Sequence, residues 1–260
     1  MSGPRPDHPP RGVWDRYWGD KPHAGDVYPA VSDLLAEITQ ALPPLQGQRL
    51  LEVGAGTGRE GHELARRGAI VCALDFSPEA LRLSRQISGG VRLVRGDALA
   101  TPFRDGSFDL VYHQGLLEHF RDPLRLLREN HRVVRPGGLV LVDVPQKYHI
   151  YTLVKQGLIA VNRWFAGWET QFSPREIRAL VERVGFRCER VYGYGMHPGL
   201  LYRVVREAGK RVGVRLPLYP RFGLLDGWYR RWHTLLRKLE RSAVGPYLTL
   251  TVGVVARRER

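Results

Sequence analysis

The stretch LLEVGAGTGRE, residues 50–60, decides the fold that the rest of this sequence is expected to adopt. Its first four residues form a mostly apolar run, which is typical of a strand covered on both faces in a parallel sheet. Three glycines follow at alternate positions: Gly54, Gly56 and Gly58. Glycine has no Cβ, so these positions permit positive φ angles and let a ligand approach the backbone closely. Helical spacing resumes at Arg59, so the stretch predicts a buried strand, a glycine turn and the start of a helix.

An acidic residue at the end of the next strand narrows the class of ligand. The apolar run 70–74 ends in Asp75, at about the distance from the glycine turn where a carboxylate binds ribose hydroxyls. The dinucleotide fingerprint also requires Gly or Ala at its sixth position, where this sequence has Arg59. The pattern therefore indicates an adenosine-containing ligand and does not match a dinucleotide site.

Five blocks, in this order and at this spacing, resemble the class I S-adenosylmethionine-dependent methyltransferases, in the subgroup that includes ubiquinone and menaquinone methyltransferases. The blocks are EVGAGTG (52–58), ALDFSPEAL (73–81), RGDA (95–98), FDLVYHQGLLEHF (108–120) and RPGGLVLVDVP (135–145). The resemblance covers residues 14–195, and the last strand of the family fold matches Leu248–Ala256. It implies S-adenosylmethionine as the cofactor and methyl transfer as the activity.

The alternation of apolar strands and helices predicts an α/β fold, a doubly wound, seven-stranded, mostly parallel sheet of the Rossmann-like methyltransferase type. After the first strand, the expected strands are 70–74, 91–94, 108–112, 139–144, 186–192 and 248–256. The expected helices are 27–42, 59–67, 79–87, 123–134 and 174–184. We expect a single domain, 13–260, after a flexible Pro-rich N-terminus, 1–12. Helical insertions are expected after the fifth and sixth strands.

Length and composition are those expected of a cytoplasmic protein. A chain of 260 residues can bury one core and carry insertions. No stretch approaches the roughly 18 uncharged residues that span a bilayer, and the N-terminus lacks the apolar core of a signal peptide. Cys72 and Cys188 each lie in an apolar strand pattern, which indicates core residues and neither a disulfide framework nor a metal site.

The first insertion, 146–172, is rich in aromatic side chains. It contains Tyr148, His149, Tyr151, Trp164, Phe165 and Trp168. In the family that the sequence resembles, this is the usual place for a substrate-side insertion. We therefore expect it to form part of the pocket for a small-molecule or lipid-like acceptor.

The second insertion, 196–245, is strongly basic, with 11 Arg or Lys residues against 3 acids in a chain of net charge +14. Its apolar side chains share one face of an expected helix: Trp228, Trp232, Leu235, Leu236 and Leu239. A basic amphipathic helix can lie in a membrane interface, and a basic surface can also bind RNA. Peripheral contact with an anionic membrane or with RNA is therefore one interpretation. A solvated arginine-rich face, or an apolar stripe packed into the core, is the other.

The resemblance also implies a set of cofactor-binding residues along the carboxyl edge of the sheet. The residues expected to hold the methionine end are Glu52, Gly54, Ala55, Gly56, Gly58, His113 and Gln114. Asp75 is expected to bind the ribose, and the adenine is expected to contact Phe76, Asp97 and Ala98. Tyr17 is expected to contribute from the N-terminal segment that folds over the cofactor.

Methyl transfer from a sulfonium is an in-line displacement, in which the protein chiefly positions the acceptor and removes its proton. Imidazole accepts a proton near neutral pH, so His119 and His149 are the expected catalytic bases. If neither is needed, proximity alone drives the reaction.

Two other functions fit parts of the sequence. An RNA methyltransferase would use segment 196–245, but the fourth strand ends in YHQG and not in the Asn/Asp-Pro-Pro-aromatic signature of enzymes that methylate base amines. The Pro-Cys nucleophile of cytosine C5 enzymes is missing as well. A non-catalytic protein that binds S-adenosylmethionine is the other alternative, and the complete set of motifs argues against it. Oxygen, nitrogen and carbon acceptors all occur on this fold, so the fold does not identify the acceptor.

Overall fold

The structure is a computed structural model that describes residues 11–21, 23, 32–164, 166–196 and 226–260, together with residues 202, 205, 206, 208, 209, 213, 214, 216 and 217. Ten residues of the segment expected to be flexible, 1–10, lie outside the described residues. The other two, residues 11 and 12, belong to the first helix, which begins at Arg11. Residues 24–31, which include the start of the expected helix 27–42, are also outside the described part.

Seven strands form one sheet in the order β3-β2-β1-β4-β5-β7-β6. The strands are β1 Arg49–Val53, β2 Ile70–Asp75, β3 Arg92–Arg95, β4 Phe108–Gln114, β5 Val134–Pro145, β6 Phe186–Tyr194 and β7 Thr251–Arg258. Strand β7 runs antiparallel to both of its neighbours, and the other pairs are parallel. The doubly wound, mostly parallel α/β sheet expected from the sequence is confirmed.

Nine helices of the described chain accompany the sheet. They are α1 Arg11–Gly19, α2 Ser32–Ala41, α3 Arg59–Arg66, α4 Pro78–Ser84, α5 Pro123–Val133, α6 Ile150–Ala160, α7 Pro174–Arg183, α8 Asp226–Glu240 and α9 Gly245–Leu248. Sequence signals explain several starts. Ser77 and Ser173 cap α4 and α7, with proline in the first turn of each, as helix N-termini favour.

The core lies on both faces of the sheet, which is why the strands are apolar without alternation. Successive side chains of a strand point to opposite faces. Leu50 accordingly packs with Leu34 and Leu64 on the face of α2 and α3. Leu51 packs with Leu126 and residues of α7 on the other face. Burying each such leucine contributes about 1.5–3 kcal/mol.

The last strand begins later than the sequence suggests. Leu248 was expected to start it, but Leu248 ends the short helix α9, and β7 begins at Thr251. Pro246 in the first turn of α9 fixes φ at a helical value, and this local preference overrides the apolar pattern that suggested a strand.

The order of strands places the candidate site. The sequence order of strands reverses between β1 and β4, whose residues Glu52 and Tyr112 are paired. In open α/β sheets, ligands bind outside the carboxyl ends of the strands at such a switch point. The loop after β1 is the glycine turn, and the residue that ends β4 is Gln114.

Candidate active site

A cavity of about 510 Å³ lies at the carboxyl ends of the parallel strands, a volume within the range of about 300–1,000 Å³ that is usual for ligand sites. Most residues expected from the sequence to form the site line it: Tyr17, Glu52, Gly54, Ala55, Gly56, Asp75, Phe76, Asp97, Ala98, Gln114 and His119. Three expected residues do not line it: Gly58, His113 and His149.

The glycine turn has the conformation that its sequence implies. The φ angles of Gly54, Gly56 and Gly58 are 62°, 55° and 61°, in the left-handed region that favours glycine. Space also requires glycine at the middle position, because a Cβ on Gly56 would lie 2.7 Å from a ring atom of Trp18. The turn is thus held open by its glycines and covered by helix α1.

Asp75 ties the glycine turn to the end of β2. Its two carboxylate oxygens accept hydrogen bonds from the amides of Gly56 and Ser77, each at 2.8 Å. Burial raises the pKa of Asp75, and the two amide bonds oppose that shift. Because each oxygen keeps a further lone pair, the carboxylate can still accept from a ligand in the cavity.

Glu52 joins three elements at the base of the cavity. Its Oε2 accepts hydrogen bonds from the Gly61 amide and from the Tyr112 hydroxyl, both at 3.0 Å. Burial raises the pKa of Glu52 well above its usual value. These contacts fix the start of α3 against β1 and β4, so Glu52 shapes the turn as well as lining the cavity.

The three expected residues outside the cavity have other surroundings. Gly58 is the N-cap residue of α3. The His113 ring is fully buried, has no hydrogen-bond partner among the described residues, and has a pKa lowered by burial to about 3. The Nδ1 atom of His149 accepts from the Tyr151 amide at 3.2 Å and so caps α6. His113 and His149 therefore lie outside the cavity wall in this geometry, and their contact with a cofactor or acceptor stays a prediction.

A buried ion pair, which we did not anticipate from the sequence, lines the cavity on the side of the first insertion. Lys155 of α6 donates to Glu169, and the two side chains are 1% and 5% exposed. The indole of Trp164 donates to the other oxygen of Glu169 at 2.7 Å. Glu169 is the one acid in residues 146–172, and Lys155 is the one charged residue of α6. That isolated pair of charges was the signal in the sequence.

Glu118 lies beside this ion pair in the cavity wall. Burial, reinforced by the negative charge of Glu169 and opposed by Lys155, raises the pKa of Glu118 to about 8. Its Oε2 is buried without a hydrogen-bond partner among the described residues. A buried carboxyl oxygen of this kind normally has a partner, which a bound ligand can supply.

The expected base His119 is neutral at physiological pH. Burial lowers its pKa to about 4, and its ring meets the Trp14 indole edge to face, with centroids 4.8 Å apart. A neutral imidazole can accept a hydrogen bond from an acceptor hydroxyl, but with this pKa it is a weak base. Its neighbour Glu118 is the stronger base of the two.

A second unanticipated carboxyl group, Asp143 at the end of β5, also lines the cavity. It accepts from the hydroxyls of Tyr192 and Tyr194, and Gln114 donates to Tyr194 at 2.6 Å. Burial raises the pKa of Asp143 to about 7, against the effect of the two tyrosine bonds. The network links β4, β5 and β6 across the base of the cavity.

Known proteins of similar sequence show which family this chain belongs to. The sequence model described as "Methyltransferase domain" matches residues 51–142. An uncharacterized methyltransferase of Mycobacterium sp. (strain KMS) is 34% identical over 219 residues, which cover 79% of this chain and 77% of that protein. This chain belongs to the class I S-adenosylmethionine-dependent methyltransferases.

Other relatives of this methyltransferase carry more specific names. The demethylmenaquinone methyltransferase of Renibacterium salmoninarum is 38% identical over 105 residues, 40% of this chain and 44% of that protein. The chain thus spans less than half the length of that relative. The ubiquinone biosynthesis O-methyltransferase of Xylella fastidiosa is 28% identical over 201 residues, 72% of this chain and 78% of that protein. Among solved structures, a possible histamine N-methyltransferase from Thermotoga maritima has the same fold, with a TM-score of 0.60, 19% identity, and coverage of 95% of this chain and 99% of that one.

The cofactor of the family, S-adenosylmethionine, fits the residues present in this methyltransferase. The glycine turn lines the cavity at Gly54, Ala55 and Gly56, so its backbone is accessible to a ligand. The Asp75 carboxylate faces the same space as Phe76 and Ala98, so an acceptor for ribose hydroxyls stands next to an apolar surface for a base. In the described residues, no group of three or more His, Cys, Asp or Glu is placed to hold a metal ion.

Proposed function

We propose that this methyltransferase transfers the methyl group of S-adenosylmethionine to a small or lipid-like acceptor that carries an acidic hydroxyl, such as a phenol or quinol. The observation that carries the proposal is the position of Glu118 beside the Lys155–Glu169 pair, in the cavity that also contains the glycine turn. The names of two relatives, a demethylmenaquinone methyltransferase and a ubiquinone biosynthesis O-methyltransferase, support an acceptor of the quinone class.

Residues near β1 and β2 would hold the cofactor. Asp75 would accept from the ribose hydroxyls, Phe76 and Asp97 would contact the adenine, and the amides of the turn from Gly54 to Gly56 would meet the methionine carboxylate. S-adenosylmethionine supplies an activated methyl group when it is bound. The chain itself has to orient the acceptor, exclude water and take up one proton.

Glu118 is the group we propose to take up that proton. A carboxylate whose pKa is about 8 is a far stronger base than an ordinary carboxylate, and its pKa is close to that of a phenol, which favours efficient proton transfer. His119 would accept a hydrogen bond from the acceptor and orient it. Deprotonation of a quinol enriches both its oxygen and its ring carbons in electrons, so the same base would serve either site of methylation.

Lys155 would stabilise the anion that deprotonation creates. Its ammonium group lies 5.9 Å from the centre of the Tyr151 ring and 5.7 Å from that of Trp164, inside an aromatic wall that excludes water. An anionic acceptor oxygen nearby would gain a favourable charge interaction in surroundings of low dielectric constant. Glu169 would keep the ammonium in place through its two bonds.

The proposal is tested by supplying methyl-labelled S-adenosylmethionine together with an extract of the source cells. The label is then separated into organic-soluble, small polar, RNA and protein fractions. We expect label in the organic-soluble or small polar fraction, and its loss with the Asp75→Ala variant. Label in RNA instead would contradict the proposal and favour the basic segment 196–245 as a substrate surface.

The described part of that basic segment is anchored to the domain but keeps part of its apolar surface exposed. Arg237 of α8 pairs with Asp33 of α2, and Glu240 accepts from the Met196 amide at 2.8 Å, so the helix is anchored to the domain. Trp232 and Leu235 are nevertheless 45% and 56% exposed. The side chain of Trp228 lies outside the described residues. Contact of this segment with an anionic membrane stays a proposal, as does a cytoplasmic location; no helix of the described chain is long and apolar enough to cross a bilayer.

A further inference from the structure

The helix of the first insertion, α6, has its polar and apolar faces reversed. Thr152 and Lys155, on its inner face, are 1% and 2% exposed. The large apolar side chains point outward instead: Ile150 61%, Leu153 61%, Val154 60%, Leu158 36% and Val161 60% exposed. At 100° per residue these five positions share an arc of about 140°. An ordinary surface helix has the opposite arrangement.

We propose that this outer face of α6 is a docking surface for an anionic lipid bilayer. The inference rests on the proposed function in one respect, that a lipid-like acceptor is dissolved in the membrane. Tyr151 and Lys155 of the same helix line the cavity, so a bilayer against α6 would lie one helix diameter, about 10 Å, from the acceptor side of the site.

The charges around α6 favour an anionic partner. Residues 146–168 contain no Asp or Glu. Arg163, just after the helix, is exposed. Trp168, in the same insertion, is stacked against the guanidinium of Arg121, which lies 4.1 Å from the centre of the ring. An apolar face followed by an exposed arginine, in a stretch free of acids, has the composition that inserts into the boundary of an anionic membrane.

The size of the surface argues against a second copy of the chain as the partner. Helix α6 has 11 residues and is therefore about 16 Å long. One face of such a helix is small against the roughly 800 Å² that each partner buries in a stable protein interface. A bilayer requires no complementary shape, so a short apolar face and a few cations suffice for reversible attachment.

The inference is tested by co-sedimentation of the full chain with vesicles of phosphatidylglycerol and phosphatidylcholine, and with vesicles of phosphatidylcholine alone. We expect binding to the anionic vesicles, which weakens at high salt. The Leu153→Glu/Val154→Glu variant should bind them at least tenfold more weakly. Ile70→Glu is the matched control, because Ile70 is 43% exposed and begins β2. It therefore lies at the amino ends of the parallel strands, and the cavity lies at their carboxyl ends. The control variant should bind the vesicles as the wild type does.

Three results would overturn the inference: a wild type that binds neither vesicle, a double variant that binds as well as the wild type, or a wild-type dimer that the double variant converts to a monomer. Calorimetric affinity for S-adenosylmethionine shows that the variant is folded. If vesicle binding follows the expected pattern but no acceptor is methylated, the docking surface stands and the proposed function falls. If a soluble phenol is methylated but the vesicles are not bound, the proposed function stands and the docking surface falls.

Discussion

Replacing Glu118 by Gln should change how the stability of the protein depends on pH. The carboxyl group has a pKa near 4.5 when unfolded and about 8 in the folded protein. Its surroundings include the charged or titratable groups of Glu169, Lys155 and Asp143. Glutamine has nearly the same shape but does not titrate, so the difference between the two proteins isolates this one group.

The sign and size of the effect follow from linkage. The folded pKa is raised, so the stability contributed by the protonated form is complete below pH 4.5 and is lost as the pH rises through 8. Within that window the unfolded chain releases a proton that the folded chain keeps, and the free energy of unfolding falls by up to about 1.4 kcal/mol per pH unit. Between pH 5 and 8, the wild type should therefore lose about 3 kcal/mol relative to Glu118→Gln.

The assay is urea unfolding of the ligand-free proteins, followed by circular dichroism at pH 5, 6, 7 and 8. Glu63→Gln is the control, because Glu63 is on the surface, pairs with Arg66 and Arg67, and has a pKa lowered by those bonds. Its difference from wild type should stay nearly constant over this range. A constant difference for Glu118→Gln as well would refute the raised pKa and with it the proposed role of Glu118 as base.

Three further predictions concern the same cavity. Gly56→Ala should lower the affinity for S-adenosylmethionine at least tenfold in calorimetry, because a Cβ would lie 2.7 Å from an indole atom; Gly90→Ala, with the same sign of φ and no atom within 4 Å, should leave the affinity unchanged. Lys155→Met should destabilise the protein by about 3 kcal/mol in urea unfolding, since it leaves Glu169 buried without its partner, and Lys155→Met/Glu169→Gln should recover part of that loss; a double variant no better than the single one contradicts the pairing. With a phenolic acceptor, kcat/KM of the wild type should rise with pH to about 8, as Glu118 loses its proton, and a profile unchanged in Glu118→Gln would exclude this base.

The parts of the fold that local sequence decides were predictable. The apolar run before the glycine turn and the serine-proline pairs at Ser77 and Ser173 specify a strand and two helix starts without help from distant residues. The start of β7 was not predictable in the same way. The apolar residues near Leu248 suit a strand or a helix equally well, and Pro246, in the first turn, favours the helix.

The residues of the candidate site likewise fall into a group that was predictable from local sequence and a group that was not. Residues that act through the backbone, or at the end of a strand, lie where the pattern places them: Gly54, Gly56 and Asp75 line the cavity. Groups whose role depends on the direction of a side chain were harder to place. His113 lies one residue before Gln114 on β4, and because successive side chains of a strand point to opposite faces, one of them lines the cavity and the other is buried elsewhere.

The unpredicted cluster shows why the acceptor side could not be read in advance. Lys155 and Glu169 are 14 residues apart and come together only because the insertion folds back over the cavity. Glu118 belongs to a different element, and its carbonyl oxygen accepts a hydrogen bond from the amide of Thr170, the residue after Glu169, at 2.8 Å. No spacing rule relates the three positions.

The central claim is that one cavity holds both the cofactor and the acceptor. Its most direct test is calorimetric titration of the wild type, Asp75→Ala and Glu118→Gln with S-adenosylmethionine. The turnover of a quinol acceptor is measured on the same three proteins. The account predicts binding at a single site in the wild type, at least a hundredfold weaker binding in Asp75→Ala, and near-normal binding but lost turnover in Glu118→Gln. Unchanged affinity in Asp75→Ala, or full turnover in Glu118→Gln, would contradict it.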